Sequence, residues 1–411
     1  MADTKITEKY EFKTDIITSY TGTEQRIALR NEPRHYLSYD YTAMKTLEAQ
    51  WLRAVARMKQ STALYIPMWH TPLYLSEPAL KDSRFIKVEE PLMFDARNCQ
   101  AIEIFVKDTV KGTNKYYKVI TFGDGGVIGL GKKLETDLNP KNAYIYPLIK
   151  CSIQPISSLN YVFSNGTDVA MNFEDILDKS TVTMPSKYLF GYYDNYKGRN
   201  PYGIPYKHSN NDVFTLEPQW IEDNSVTLDV EKQTVKLDND IGVFSYDSKN
   251  NLSYDKNSYS FILMNKQQIN NVVKFFHNVK GKYKSFYMPS WVNDFSPCFD
   301  IKSGQNCIYT EFDSIYKYYI SNNRKRKIII FTTNYNSYIL DVLSFTYEDI
   351  GDTRYGKLLL SAPTTKTIPL SNIKMISYFN HVRLDDDTLQ LNYESTQVAQ
   401  VDITTKEVDD A

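Results

Sequence analysis

The sequence predicts a strand-dominated α+β fold built of two tandem homologous modules, each carrying one main amphipathic helix. Three observations predict it. A seven-residue pattern occurs twice, at residues 63–69 and 285–291, with its prolines and tryptophans 222 positions apart. One stretch with helical apolar spacing precedes each occurrence. The remainder of each copy is a series of β-branched and aromatic runs punctuated by turn residues.

In chain order, a first strand is expected at residues 34–41, with its counterpart at 258–264. A helix follows in each copy. Met44, Leu47, Trp51, Val55 and Met58 form one apolar stripe, and Ile269, Val272, Val273, Phe276 and Val279 form the other, each spaced for a helix face. Asn265 with Gln268 resembles a capping box, and Gly281 suits a left-handed close; Lys59-Gln60 gives the first helix a different end. The repeated pattern comes next. It reads Ala63-Leu64-Tyr65-Ile66-Pro67-Met68-Trp69 and Ser285-Phe286-Tyr287-Met288-Pro289-Ser290-Trp291. Its proline denies the ladder a donor, which places the strand at an edge or a bulge. Tyr65, Pro67, Trp69, Tyr287, Pro289 and Trp291 define the repeat and are expected in the core, with both tryptophans beneath their helices. The same offset aligns Ser38-Tyr39 with Ser260-Phe261, Leu47 with Ile269, Trp51 with Val273 and Pro147 with Pro369, so the register is expected to run without a gap. Residues 101–106, 116–122, 226–243, 327–332 and 338–345 read as strand-like. Asn165-Gly166 reads as a hairpin turn, and Asp385-Asp386-Asp387 as the turn of another hairpin. The first module is placed at 12–188 and the second at 213–408. Residues 189–212, rich in Tyr, Gly, Asn and Pro, form a linker or a functional loop.

The 411 residues suffice for two or three domains, and 42% of them are apolar, enough for sizeable cores. A net charge of −1 argues against general binding to DNA or anionic membrane. The 33 tyrosines suit half-buried sheets and protein interfaces, having an apolar body and a polar tip. No apolar run approaches the ~20 residues of a membrane span, and the polar N-terminus is unlike a signal peptide. A soluble protein, made without secretion and not inserted in a membrane, is expected. Cys99, Cys151, Cys298 and Cys307 include no CxxC pair and are expected free and buried.

No constellation of residues carries an enzyme's chemistry, so neither catalysis nor a cofactor or metal is expected. His35, His70, His208, His277 and His381 have no metal-ligand spacing and read as structural. The glycine-rich stretch 123–131 follows a strand, but no helix pattern comes after it to receive a phosphate, so it reads as a hairpin turn or a mobile loop. Arg324-Lys325-Arg326-Lys327 reads as a solvated turn, and contact with passing DNA is the sharper alternative. Glu24, Arg26, Arg30 and Arg34 are the most informative charges. They form either an exposed charged edge or a set of ion pairs between protomers, with Arg as a bidentate partner.

The stretch Gly22-Thr23-Glu24-Gln25-Arg26, continued by Arg30 and Pro33-Arg34, resembles the opening of minor tail proteins of long-tailed, non-contractile bacteriophages. The passage from Phe275-Phe276 through Gly281-Lys282 to Trp291 and Asp294 is similar to that family's helix-to-strand passage. His381-Val382-Arg383-Leu384 and the residues after it resemble its close. The second copy departs from the pattern, having no Glu-Gln-Arg stretch. The resemblance implies a distal tail-tip or hub-ring protein with tail-tube-like β-sandwich modules. It would be made in the host cytoplasm and located in the virion. Implied partners are further copies of itself, the tail-tube protein and other tip or hub proteins, with DNA passing transiently through the lumen. A doubled module lets three chains continue a sixfold tube, so a homotrimer comes first and a homohexamer second. The competing expectation is a receptor- or polysaccharide-binding tail component, which Tyr abundance also fits. A cell-wall hydrolase is a third class, for which the sequence offers no zinc or nucleophile motif.

Overall fold

The computed structural model describes residues 5–19, 22–60, 62–90, 93–94, 99–107, 113–154, 158–163, 166–176, 200–220, 226–232, 234–238, 240–248, 253–312 and 325–408. The chain is β-dominated, with two α-helices among the described residues. The first half runs β1 (Ile6–Glu11), β2 (Thr14–Thr18), β3 (Glu24–Ala28), β4 (Arg34–Ala43), α1 (Thr46–Met58), β5 (Leu64–Pro67), β6 (Phe85–Lys87), β7 (Cys99–Val106), β8 (Thr113–Phe122), β9 (Val127–Leu130), β10 (Ala143–Ile153), β11 (Ser158–Phe163) and β12 (Gly166–Asp175). A small hairpin of β13 (Lys207–His208) and β14 (Asn211–Asp212) follows. The second half runs β15 (Val226–Glu231), β16 (Thr234–Leu237), β17 (Ser245–Ser248), β18 (Tyr254–Leu263), α2 (Lys266–Val279), β19 (Ser285–Pro289), β20 (Cys307–Glu311), β21 (Lys327–Thr332), β22 (Ser337–Ile350), β23 (Thr353–Leu360), β24 (Ile373–Leu384), β25 (Thr388–Tyr393) and β26 (Ala399–Glu407).

The halves share one antiparallel pairing scheme. In the first, β4 lies between β1 and β12, β12 also meets β11 and β10, and β10 meets β5 and β7. In the second, β18 lies between β15 and β26, β26 also meets β25 and β24, and β24 meets β19 and β21. Outward from there, β7–β8–β9–β6 has its counterpart in β21–β22–β23–β20. Each half also inserts a separate hairpin, β2–β3 or β16–β17, ahead of its long helix-leading strand. Strand β1 lies ahead of residue 12, the expected module start, and pairs along its whole length with β4 on one side and β25 on the other. It therefore joins the halves, and one apolar core runs beneath both. A smaller core, including Ile308, Ile328, Phe345 and Leu358, lies under the β20–β23 side.

The second helix forms as its spacing predicts. The Asn265 side chain accepts from the Gln268 N–H (2.9 Å), and Gln268 Oε1 accepts from Met264 N–H (2.7 Å), satisfying two donors at the helix entrance. Ile269, Val272, Val273, Phe276 and Val279 are all buried. The left-handed close starts one residue early, at Lys280 (φ 56°), and Gly281 continues it (φ 63°); a Cβ there would lie 2.5 Å from Asp387 Oδ1.

The first helix corrects its expectation. Its buried face is Ala49, Leu52 and Ala56, whereas Met44, Leu47, Trp51 and Met58 are exposed, Leu47 at 79% and Trp51 at 64%. Two apolar stripes coexist on one helix. Periodicity detects both, but the small residues let the backbone approach the sheet, and this stripe is the one that packs. The register is also corrected. Up to the helix start the halves are 220 residues apart, Ala43 matching Leu263 and Lys45 matching Asn265 as helix N-caps. Across the helix Ala49, Leu52 and Ala56 match Ile269, Val272 and Phe276. The second helix and the strand after it are each one residue longer, which restores 222 at the proline.

Three further expectations change. Asp385–Asp387 does not turn a hairpin, because β25 pairs with β1 and β26 and not with β24. Lys325 is no part of a solvated turn, being 4% exposed; Arg324 and Asn165 lie outside the described residues. Of the segment 189–212, the described part from residue 200 packs on the second half, with Tyr202 and Ile204 buried. The glycine-rich stretch does turn a hairpin. A short 3-10 turn (Asp124–Gly126) joins β8 to β9, and Gly126 (φ 76°) lies so close to the Val88 carbonyl that a Cβ would meet it at 2.1 Å.

Candidate functional site

The charges singled out from the sequence meet partners within the chain. Glu24, on β3, receives two hydrogen bonds from Arg383 on β24: Nε to Oε2 at 2.7 Å and Nη2 to Oε1 at 2.9 Å. Both side chains are nearly buried. Burial opposes the Arg383 charge, but Glu24 and Asp385 outweigh it and raise its pKa. Arg30 pairs with Glu11 at 3.1 Å, and Arg34 lies 3.5 Å from Glu174. Arg26 is held on the same hairpin; its burial lowers its pKa while Glu24 opposes that and Arg383 adds to it. Glu24, Arg30 and Arg34 thus each have an ion-pair partner within the chain. The β2–β3 hairpin folds back and clasps the second half, an arrangement that no local pattern reveals because Arg383 lies far along the chain.

Beneath this clasp, Glu8 is wholly buried on β1. Its Oε1 accepts from the Tyr10 hydroxyl (2.8 Å) and contacts His35 Nε2 (2.7 Å); its Oε2 accepts from the Tyr393 hydroxyl (2.7 Å) and lies 3.4 Å from His70 Nε2. The ring of His35 stacks on Tyr10, and that of His70 lies 4.5 Å from Tyr393. Burial pushes the Glu8 carboxyl up, but the His70 charge and the histidine hydrogen bonds overcome it and hold the carboxyl well below the usual range. The cluster draws on β1, β4 and β25, so it locks the seam between halves. Sequence reasoning passed over Glu8. The signal was there: Ile6, Glu8 and Tyr10 share one face of an alternating strand. A second buried network holds Lys325 between Asp255 (2.5 Å) and Glu407 (2.6 Å). Burial disfavours its ammonium, yet the two carboxylates raise its pKa overall.

The repeat-defining residues diverge in placement. Tyr287, Pro289 and Trp291 are buried, whereas Tyr65 is 41% exposed and Pro67 and Trp69 are half-buried. The core expectation fails for Tyr65. Trp291 stacks on Phe331, and Trp69 lies against Tyr39 and Tyr41. Beside Trp69 opens a groove of about 870 Å³, lined chiefly by Tyr41, Leu47, Trp51, Trp69, Phe105 and Tyr146, with Glu103 and Asn114 within it. Burial raises the Glu103 carboxyl against the opposing hydrogen bond from Asn114. Such a site offers apolar and aromatic contact with a few polar groups, a chemistry of binding.

Among the described residues no group of three or more His, Cys, Asp or Glu is arranged to hold a metal ion, and no helix is long and apolar enough to cross a membrane. No protein-family model matches the chain, and no curated protein matches it.

Proposed function

We propose that this chain is a structural virion protein of a phage tail tip, a distal tail or hub ring. It continues the tail-tube lumen and connects the tube to tip and receptor-binding components. In this reading the halves are duplicated, tail-tube-like β-sandwich modules, and the chain has no catalytic role. The observation that carries the reading is the seam. The first half offers the edge of β1 and the β2–β3 hairpin, and the second half receives them with β25 and Arg383. By the shared pairing scheme, β15 and the β16–β17 hairpin are the matching offer of the second half, and β11 is the matching receiver on the first. Among the described residues β15 pairs with β18 alone and β11 with β12 alone. The offered surface is apolar: Leu228, Val230, Leu237, Ile241 and Val243 are all more than half exposed. An unpaired apolar strand edge is a template for another chain.

A head-to-tail contact between copies would repeat the internal seam, and a heterologous contact of this kind gives a ring where its rotation closes and an open filament where it does not. Three chains then present six near-equivalent modules, which makes a homotrimer the first choice and a homohexamer the second. The tail-tube protein and other hub proteins would stack on the faces of the ring, and DNA would pass through its centre. Negative-stain images of the purified protein test this: rings with a central hole are expected, and loose monomers or elongated fibres would count against it. A second reading, a receptor- or polysaccharide-binding tail component, draws on the aromatic groove; it predicts those monomers or fibres.

A further inference from the structure

We propose that the groove beside α1 takes an extended segment of a partner polypeptide, with an aromatic side chain seated between Trp69 and Phe105 and its backbone added to the open edge of β5. The second half supplies the template. Pro67 pairs with Leu148 and Pro289 with Phe379, so Tyr144 and Met375 are matching positions; their cross-strand partners are Phe105 and Phe331. Trp69 and Trp291 match as the residues two past each proline.

In the second half this place is filled. The Tyr202 ring lies 4.9 Å from Phe331 and 6.2 Å from Trp291. Further along the same segment, Val213 bridges to Tyr287 in parallel, and the Phe214 N–H donates to the Tyr287 carbonyl at 2.9 Å. The Phe214 ring packs on Phe275 of α2 (4.8 Å) and on Phe261 (5.7 Å). In the first half, β5 pairs with β10 alone among the described residues, and Tyr65, the counterpart of Tyr287, is exposed. Where α2 has Gln267 and Asn271, which bond each other at 2.9 Å, α1 has exposed Leu47 and Trp51. The first-half surface therefore asks for a more apolar cover than the second half needs. The chain's own segment of this kind is seated on α2, and among the described residues no other segment pairs with the β5 edge, so the occupant we propose is another polypeptide. An open strand edge beside an apolar groove is the geometry of strand addition, in which main-chain bonds give affinity and side-chain pockets give specificity. A sugar would use the aromatic rings but leave that edge unused. The groove offers these contacts whether or not the chain sits in a tail.

The test titrates a labelled synthetic peptide of residues 200–219 into the full-length chain and follows fluorescence anisotropy. Saturable one-to-one binding is expected, weakened about tenfold or more by Trp51→Glu and by Leu47→Asp. Both positions are exposed, so thermal melts of the variants should match the parent and exclude misfolding. The proposal is overturned if the peptide does not bind at millimolar concentration, or if both variants bind it as the parent does, which would place it elsewhere. It is equally overturned if chito-oligosaccharides bind in a Trp51-dependent way while the peptide does not.

Discussion

Glu8 accepts from two tyrosine hydroxyls and contacts two histidine rings without reaching water, so its charge is held by these partners alone. Glu8→Gln places an amide among donors and should destabilise the fold by about 3 kcal/mol, read as a lower urea midpoint at pH 7. The Glu8 pKa is depressed in the fold. Its stabilisation is thus present in full above the unfolded carboxylate value of about 4.3 and is lost only as pH falls through the lower folded value. His381 has the opposite consequence for mild acid. Burial first, then Arg26 and Lys327, push its pKa down to about 4, so between pH ~6.5 and about 4 the unfolded chain binds the proton and stability falls. His381→Gln should remove on the order of 2 kcal/mol of that loss after allowance for partial exposure, measured as the parent-minus-variant difference in urea unfolding at pH 7 and pH 4.5. Truncating Glu24 to Ala leaves nearly buried Arg383 with Asp385 as its remaining carboxylate and should cost about 2–3 kcal/mol, whereas Arg34→Ala, at a half-exposed pair, should cost under about 1 kcal/mol in the same assay.

At the scale of elements, the two helices separate what periodicity can and cannot tell. In α2 a single apolar stripe is buried as the sequence predicts, and Gln268, Asn270 and Asn271 are buried beside it. In α1 there are two stripes, and the larger residues, Leu47, Trp51 and Met58, lie outside. Phe276→Ala should therefore cost about 3–4 kcal/mol, while Trp51→Glu should leave thermal unfolding within about 0.5 kcal/mol of the parent. The Tyr-x-Pro-x-Trp strands, the β11–β12 hairpin pairing and the glycine-rich turn were legible because each is set by local chemistry. The seam was not. Glu24 finds Arg383, and Glu8 finds Tyr393, across most of the chain, and nothing near either residue marks its partner. Lys325 was misread for the same reason: its carboxylates, Asp255 and Glu407, come from distant strands, so a run of cations resembled a solvated turn. The groove residues were visible as aromatics, but their exposure depends on which stripe of α1 turns inward.

In the proposed assembly one contact is made twice: β1 on β25 inside the chain, and β15 on β11 between chains. Val230, 64% exposed on β15, tests the second without touching the first. Val230→Lys puts a charge on the offered edge and should abolish assembly while leaving the fold's melting temperature unchanged. The most direct measurement is the mass of the purified parent protein in solution, by sedimentation velocity across a concentration series. The account predicts a closed particle of three chain masses that converts to single chains in Val230→Lys. A parent that sediments as one chain at every concentration would contradict it.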